Sequence, residues 1–175
     1  MITFKQMKLE DSSSIRDIDR SETIHLVYTC KDGVLNAIRS EHECPNWEED
    51  DYAAIISRFE YELQNGGTAF GAYDQNKLVG FGVLAHQFRG QANNQLQVDL
   101  MYVTRNYRRQ GIGRRILDEL SNEAIIRGAE YLYISSTETE SAVKFYSSCG
   151  SMNTLEVDKE LFEKEPHDIH MVKKL

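Results

Sequence analysis

Proline occurs only twice in this 175-residue chain and tryptophan once. With 11 glycines and no periodic spacing of them, collagen-like and low-complexity classes are excluded. The three cysteines, Cys30, Cys44 and Cys149, form an odd set without Cys-x-x-Cys spacing. Neither a disulfide framework nor a zinc ribbon fits, no metal is expected, and a reduced, cytoplasmic setting is. No stretch approaches the ~18 consecutive apolar residues of a membrane-spanning helix. The opening MITFKQMKLED alternates polar and apolar residues and lacks an apolar signal core. Positive charge is also short, with 20 Lys and Arg against 28 Asp and Glu, a net charge of −8. That balance disfavours a nucleic-acid partner, whose binding domain is usually basic.

What is present is enough for one core. Leu, Ile, Val and Phe make up about a quarter of the chain, above the ~20 % below which disorder is expected. The length fits a single domain, residues 1–175.

Charge is unevenly spread. Residues 41–51, EHECPNWEEDD, carry six acids and no base, and read as a solvated face. Residues 105–115, RNYRRQGIGRR, carry Arg105, Arg108, Arg109, Arg114 and Arg115 and no acid, with two glycines among them. This basic run has more to explain.

The periodicities predict the surrounding elements. Ile2–Phe4 reads as a strand, and Ser12–Arg20 as a helix behind a Ser-rich cap. Ile24–Cys30 and Val34–Ile38 flank Asp32-Gly33, a hairpin turn signal. Trp47–Leu63 carries a helical stripe that Asn65-Gly66-Gly67 closes. Thr68–Tyr73, Leu78–Phe88 and Gln95–Thr104 read as strands, the last with Leu96, Val98, Leu100 and Tyr102 on one face. Ile112, Ile116, Leu117, Leu120, Ala124 and Ile125 define an amphipathic helix ending at Gly128. Tyr131–Ser135 is a short strand, and Thr137-x-x-Glu140 a capping box for a helix that Gly150 stops. Asn153–Val157 and Ile169–Val172 read as two last strands. This order indicates an α/β fold, a mixed sheet covered on both sides.

The informative unit is a strand followed by Arg108-Arg109-Gln110-Gly111-Ile112-Gly113 and then a helix. A glycine-rich turn opening a helix presents unpaired N–H groups and the positive end of the helix dipole. Glycine admits a ligand where a Cβ would collide, and the arginines add forked donors suited to phosphate oxygens. The dipole supplies ~0.3–1 kcal/mol, and each charge-assisted hydrogen bond ~1.5–3 kcal/mol, so several together can hold a diphosphate. A P-loop is excluded because Arg114-Arg115 follows Gly113 in place of Lys-Ser/Thr. The dinucleotide fingerprint fails at Ile116.

These residues resemble the GNAT superfamily of N-acetyltransferases, whose signature is Gln or Arg, two residues, Gly, one residue, then Gly or Ala, directly after a strand. Val98–Val103 looks like the family's fourth strand, and Ala142-Val143-Lys144-Phe145-Tyr146 like the helix after its fifth. The match runs from Gln95 to Gly150, and Thr68–Phe88 resembles the second and third strands. The resemblance implies a mixed, mostly antiparallel central sheet of about seven strands with helices on both faces. It also implies transfer of an acetyl group from acetyl-CoA, as cosubstrate, to a primary amine of a small-molecule or peptide acceptor by direct attack in a ternary complex.

On that resemblance the diphosphate lies on Arg108, Arg109, Gln110, Gly111, Ile112, Gly113 and Arg114, and the pantetheine arm pairs with the main chain of Met101 and Val103. An N–H near Met101 polarises the thioester carbonyl. Thr139 stands where the family often has Asn as a cofactor contact. Tyr146 protonates the departing thiolate. The nucleophile must be a neutral amine, and an amine of pKa near 10.4 is neutral in only about one molecule in 2,500 at pH 7. Asp99, with Glu138 or water as alternatives, is the candidate base. His86 and His170 read as structural. Acids at Glu22 and Glu48–Asp51 suggest a cationic acceptor. A monomer or homodimer with no nucleic-acid and no membrane partner is expected. The alternative is an acetyl-CoA-binding regulatory module without significant turnover.

Overall fold

A computed structural model describes residues 1–175. Nine strands form two sheets. The strands are β1 (Ile2–Met7), β2 (Glu22–Lys31), β3 (Val34–Cys44), β4 (Thr68–Asp74), β5 (Lys77–Arg89), β6 (Gln95–Val103), β7 (Tyr131–Ser136), β8 (Ser151–Asn153) and β9 (Ile169–Lys174). The helices are α1 (Glu49–Gln64), α2 (Ile112–Ile126), α3 (Glu140–Ser148) and α4 (Lys159–Lys164). The main sheet has seven strands in the order β1-β4-β5-β6-β7-β9-β8, and β2 and β3 pair apart from it. Every pairing is antiparallel except β6 with β7. The mixed, mostly antiparallel seven-strand sheet expected from the sequence is therefore present.

The middle strands are apolar on both sides because helices cover both faces. On one face Ile112, Ile116, Leu117 and Leu120 of α2 and Val143 and Tyr146 of α3 pack over Val79, Leu84, Leu96 and Val98. On the other, Tyr52 and Phe59 of α1 join Ile15, Ile18, Phe81, Val83 and Leu100. Helix α2 lies unusually close to β5. A Cβ on Gly82 would stand 2.8 Å from Ile116 Cγ2 and 3.0 Å from Leu120 Cδ1.

Several expectations are corrected. Ser12–Arg20 is no α-helix; Leu9–Asp17 forms a 3-10 segment in which the Asp11 carboxylate accepts the Lys8 N–H at 2.8 Å. Its Asp and Ser side chains compete for backbone hydrogen bonds, which disfavours a longer helix. Leu96, Val98, Leu100 and Tyr102 do not share a face. Val83 pairs with Leu100 but Leu84 with Val98, so Asp99 is an extra residue in β6 and the strand changes sides there. Ile125 lies outside the buried stripe of α2, 52 % exposed. The Thr137 capping box does not form; α3 starts after Thr139, which makes no side-chain cap bond. Asn153–Val157 is not a strand, since pairing stops at Asn153. The following chain turns into the unforeseen α4, capped by the Asp158 carboxylate, which accepts the Leu161 N–H at 3.0 Å.

Replacing Gly82 by Ala forces α2 away from the sheet. We expect a loss of about 1–3 kcal/mol in stability, read as a lower urea midpoint with unchanged slope.

Candidate active site

The site begins where the central sheet splits. Strands β6 and β7 pair only through Gln95–Gln97 and Tyr131–Tyr133. Beyond Gln97 the bulge at Asp99 turns β6 away, and the two strands diverge. The Thr104 N–H donates to Val79 O at 2.9 Å, on the β5 side. Main-chain groups alternate along a strand, so Tyr102 and Leu100 face β5 as well, while Met101 and Val103 face the opening. Both sequence-predicted strand residues thus lie on an edge that pairs with no other strand, although the Val103 carbonyl is taken by the Arg108 side chain.

Two side chains fix this geometry. The Asp99 carboxylate, 1 % exposed, accepts the Arg58 Nε–H at 2.7 Å and its Nη2–H at 2.5 Å. Arg58, on α1, is 30 % exposed, and its pKa is raised foremost by the hydrogen bond to Asp99. At the far end of β6, Arg108 donates to Val103 O at 2.9 Å and to Arg20 O at 3.0 Å. Its guanidinium braces the backbone and is not pointed at solvent anions.

Next to Val103 the chain enters α2 through a left-handed turn. Arg109 and Gly111 have φ of 62° and 82°. No acceptor in the protein takes the N–H groups of Arg109 through Arg114; the first bonded amide is that of Arg115, to Gly111 O at 3.0 Å. Six amides, two of them next to left-handed residues and three in the first turn of a helix, form an anion-binding concavity. A Cβ on Gly111 would meet nothing within 4 Å but would have to adopt the left-handed conformation that L side chains disfavour. A Cβ on Gly113 would press the Phe145 ring at 3.1 Å, so this glycine lets α3 pack against the start of α2. Arg114 reaches Ser148 O at 3.1 Å, while Arg109 and Gln110 are exposed.

The opposite wall is β7 with α3. Tyr146 is buried in the α2-side core, and burial foremost pushes its phenol well above the usual range. Its hydroxyl makes no hydrogen bond within the protein, yet it is not among the fully enclosed polar atoms without a partner. The Glu138 carbonyl accepts the Tyr28 N–H at 2.7 Å, and Val27 bridges to Thr139, so β2 braces this wall from outside. Thr139 stands directly at the start of α3, with its hydroxyl 3.3 Å from Ser141 Oγ.

Acids of the 41–51 run are engaged locally. Asp51 accepts the Glu48 N–H at 3.0 Å at the start of α1, and Glu49 pairs with Arg16. His86 contacts buried Glu62 at 2.7 Å, and His170 contacts the Tyr133 hydroxyl at 2.7 Å. Both histidines are held in structural networks. Three residues of the fork escaped sequence reasoning: Arg58, Tyr102 and Asp168. Asp168 accepts the Ser135 hydroxyl at 2.7 Å, a partner 33 positions away that no local pattern reveals. No cluster of His, Cys, Asp and Glu suited to a metal occurs. No helix is long and apolar enough to cross a membrane.

Removing Arg58 leaves the buried Asp99 charge uncompensated. Arg58→Met is expected to lower stability by about 2–4 kcal/mol in urea unfolding, and an Arg58→Met/Asp99→Leu double variant to recover most of it.

The fold is shared with known acetyltransferases. Nourseothricin acetyltransferase superposes with a TM-score of 0.73 at 20 % identity, over 99 % of this chain and 98 % of its own. A candidate streptothricin acetyltransferase from Bacillus anthracis, solved with acetyl coenzyme A, gives 0.74 at 16 % identity, over 100 % and 99 %. The ribosomal-protein-S18-alanine N-acetyltransferase of Escherichia coli gives 0.61 at 16 % identity, over 99 % and 94 %. No curated protein matches the sequence. The model of the acetyltransferase (GNAT) family matches residues 32–150, and the chain therefore belongs to that family of acetyl-CoA-dependent acyltransferases.

Proposed function

We propose that this protein transfers the acetyl group of acetyl-CoA to a primary amine on a cationic small molecule, by direct attack within a ternary complex. The observation that carries the reading is the fork: a free β edge at Met101 and Val103 leading into the unpaired amides of Arg109–Arg114. A diphosphate of two negative charges fits those amides. An extended pantetheine chain, with its own amides, fits the β edge.

In this reading Gln110, Gly111, Ile112, Gly113 and Arg114 hold the diphosphate through main-chain N–H groups, and the exposed Arg109 side chain adds charge. Arg108 serves by fixing the end of β6, and Thr139 borders the cosubstrate at the start of α3. Tyr146 keeps its proton throughout the neutral range because burial disfavours the phenolate, and it gives that proton to the thiolate as the C–S bond breaks. Asp99 was the candidate base from sequence. With both oxygens on Arg58 it acts by pinning the bulge, and proton acceptance falls to a group nearer the acceptor.

The cationic acceptor is supported by acids at the fork, where Glu138 and Glu165 act electrostatically on Asp168. It is also supported by the antibiotic acetyltransferases among the structural relatives. Three unpaired cysteines suit a reduced, cytoplasmic setting. The 1–175 chain would act as one N-acetyltransferase domain.

Thiol release from acetyl-CoA with a panel of primary amines tests the reading, and no release with any amine overturns it. Tyr146→Phe is expected to lower kcat by ~10²–10⁴-fold with the acetyl-CoA Kd unchanged. Gly111→Val places a branched side chain at a left-handed φ, so the turn that aligns the amides must rearrange. Calorimetry is expected to show acetyl-CoA affinity lost while the melting temperature of the free protein falls by only a few degrees.

A further inference from the structure

The fork holds a second carboxylate whose surroundings are the reverse of those of Asp99. Asp168 lies on the chain entering β9, one residue before Ile169, which pairs with Ser136 of β7. It therefore sits beside the part of β7 that has left β6. One carboxylate oxygen accepts the Ser135 hydroxyl at 2.7 Å, and the other accepts nothing from the protein. No Lys or Arg pairs with it. The residue is half-buried, so the free oxygen is neither sealed in the core nor fully hydrated.

The groups around it come from every wall of the cleft. Glu138 follows β7, and Glu165 and His167 precede Asp168 on its own loop. Tyr146 on α3 and Tyr102 on β6 both feel its charge. Apart from His167, all of these are acids or phenols. A carboxylate placed among acids, with one hydrogen bond, no Lys or Arg partner and only His167 acting against those acids, leaves an unmet demand for positive charge. Burial, the first cause, and Glu165 and Glu138 hold its pKa above the ordinary value. That change brings it closer to the pKa of an amine entering the same desolvated site.

We propose that Asp168 receives the ammonium form of the acceptor and removes its proton at the fork between β6 and β7. The inference rests on the acetyl-transfer reading above and supplies the base that this reading lacks. The ammonium first binds the free oxygen, and one N–H proton passes to the carboxylate, leaving a neutral amine. The nitrogen lone pair forms the N–C bond to the acetyl carbon, and the C–S bond breaks. The Tyr146 proton goes to sulfur, and the resulting phenolate takes back the surplus proton of the new amide nitrogen. Asp168 then releases its proton to water. An ammonium and the thioester thus give an amide, a thiol and one solvent proton.

The test measures kcat/KM for thiol release from pH 6 to 9.5, with nourseothricin and spermidine as probe acceptors, for the wild type and three variants. Asp168→Asn retains an acceptor for Ser135 and removes the charge. Asp168→Glu restores the charge at a longer reach, and Glu163→Gln on α4 is a surface control. Asp168→Asn is expected to lose ~100-fold at pH 7 with an unchanged acetyl-CoA Kd. The deficit should shrink about tenfold per pH unit as free amine becomes available without a base. Asp168→Glu should regain part of the rate, and Glu163→Gln should match the wild type. Equal rates for Asp168→Asn and the wild type overturn the proposal, as does a deficit that stays constant across pH, the mark of a purely structural role. If the wild type itself releases no thiol with either probe or with any amine of the panel, the acetyl-transfer reading fails and the inference fails with it, a result distinguishable from a defect confined to Asp168→Asn.

Discussion

The ion pair between Arg58 and Asp99 underlies the site. A regular β6 would continue alongside β7 and satisfy its own edge, leaving no place for a ligand backbone. The extra residue at Asp99 breaks the alternation, swings Leu100 to the α1 side and opens the sheet. A bulge that placed a carboxylate in the core without a partner would be costly, and Arg58 from α1 meets both oxygens. The pair thus makes a catalytic fork compatible with a stable sheet. It also accounts for why the protein would carry two carboxylates near one cleft, one bound to a guanidinium and one left unbound.

In the proposed reading, the main chain around the fork provides most of the recognition. The amides of Arg109–Arg114 and the edge of β6 need no particular side chain, only the correct backbone path. The arginines that dominate the sequence of this loop divide their work. Arg108 braces Val103 and Arg20, Arg114 reaches the end of α3, and Arg115 pairs with Glu119. Arg109 and Arg114 alone remain exposed without an ion pair beside the turn, and Arg114 is held by Ser148, so the positive run is more scaffold than bait.

The fold was legible where periodicity and turn chemistry agree. Asp32-Gly33 and Gln75-Asn76 both adopt positive φ in two-residue turns, as the tight hairpins require. The strand-turn-helix at Gly111 was visible because its glycines have a local reason. The bulge was hidden, since Leu96, Val98, Leu100 and Tyr102 alternate perfectly, and only pairing with β5 reveals the change of face. The 3-10 segment and α4 were missed because short elements depend on capping by Asp11 and Asp158 rather than on an apolar stripe. Asp168 was invisible for a further reason: its meaning comes from Ser135, Tyr102 and Tyr146, which the chain brings together only after folding.

The hydrogen bond from the Tyr28 amide to the Glu138 carbonyl gives the cleft an asymmetric build. Both banks, β6 and β7, belong to the seven-stranded sheet, but the end of the β7 bank also touches a ribbon, β2 and β3, that lies outside it. Thermal agitation that peels the ribbon away would therefore release the start of α3, and with it the Arg105 contacts that follow β6. The clasp of an accessory hairpin on the Glu138–Thr139 corner thus gives evolution a handle for retuning the opening toward bulkier guests without touching the sheet that frames it.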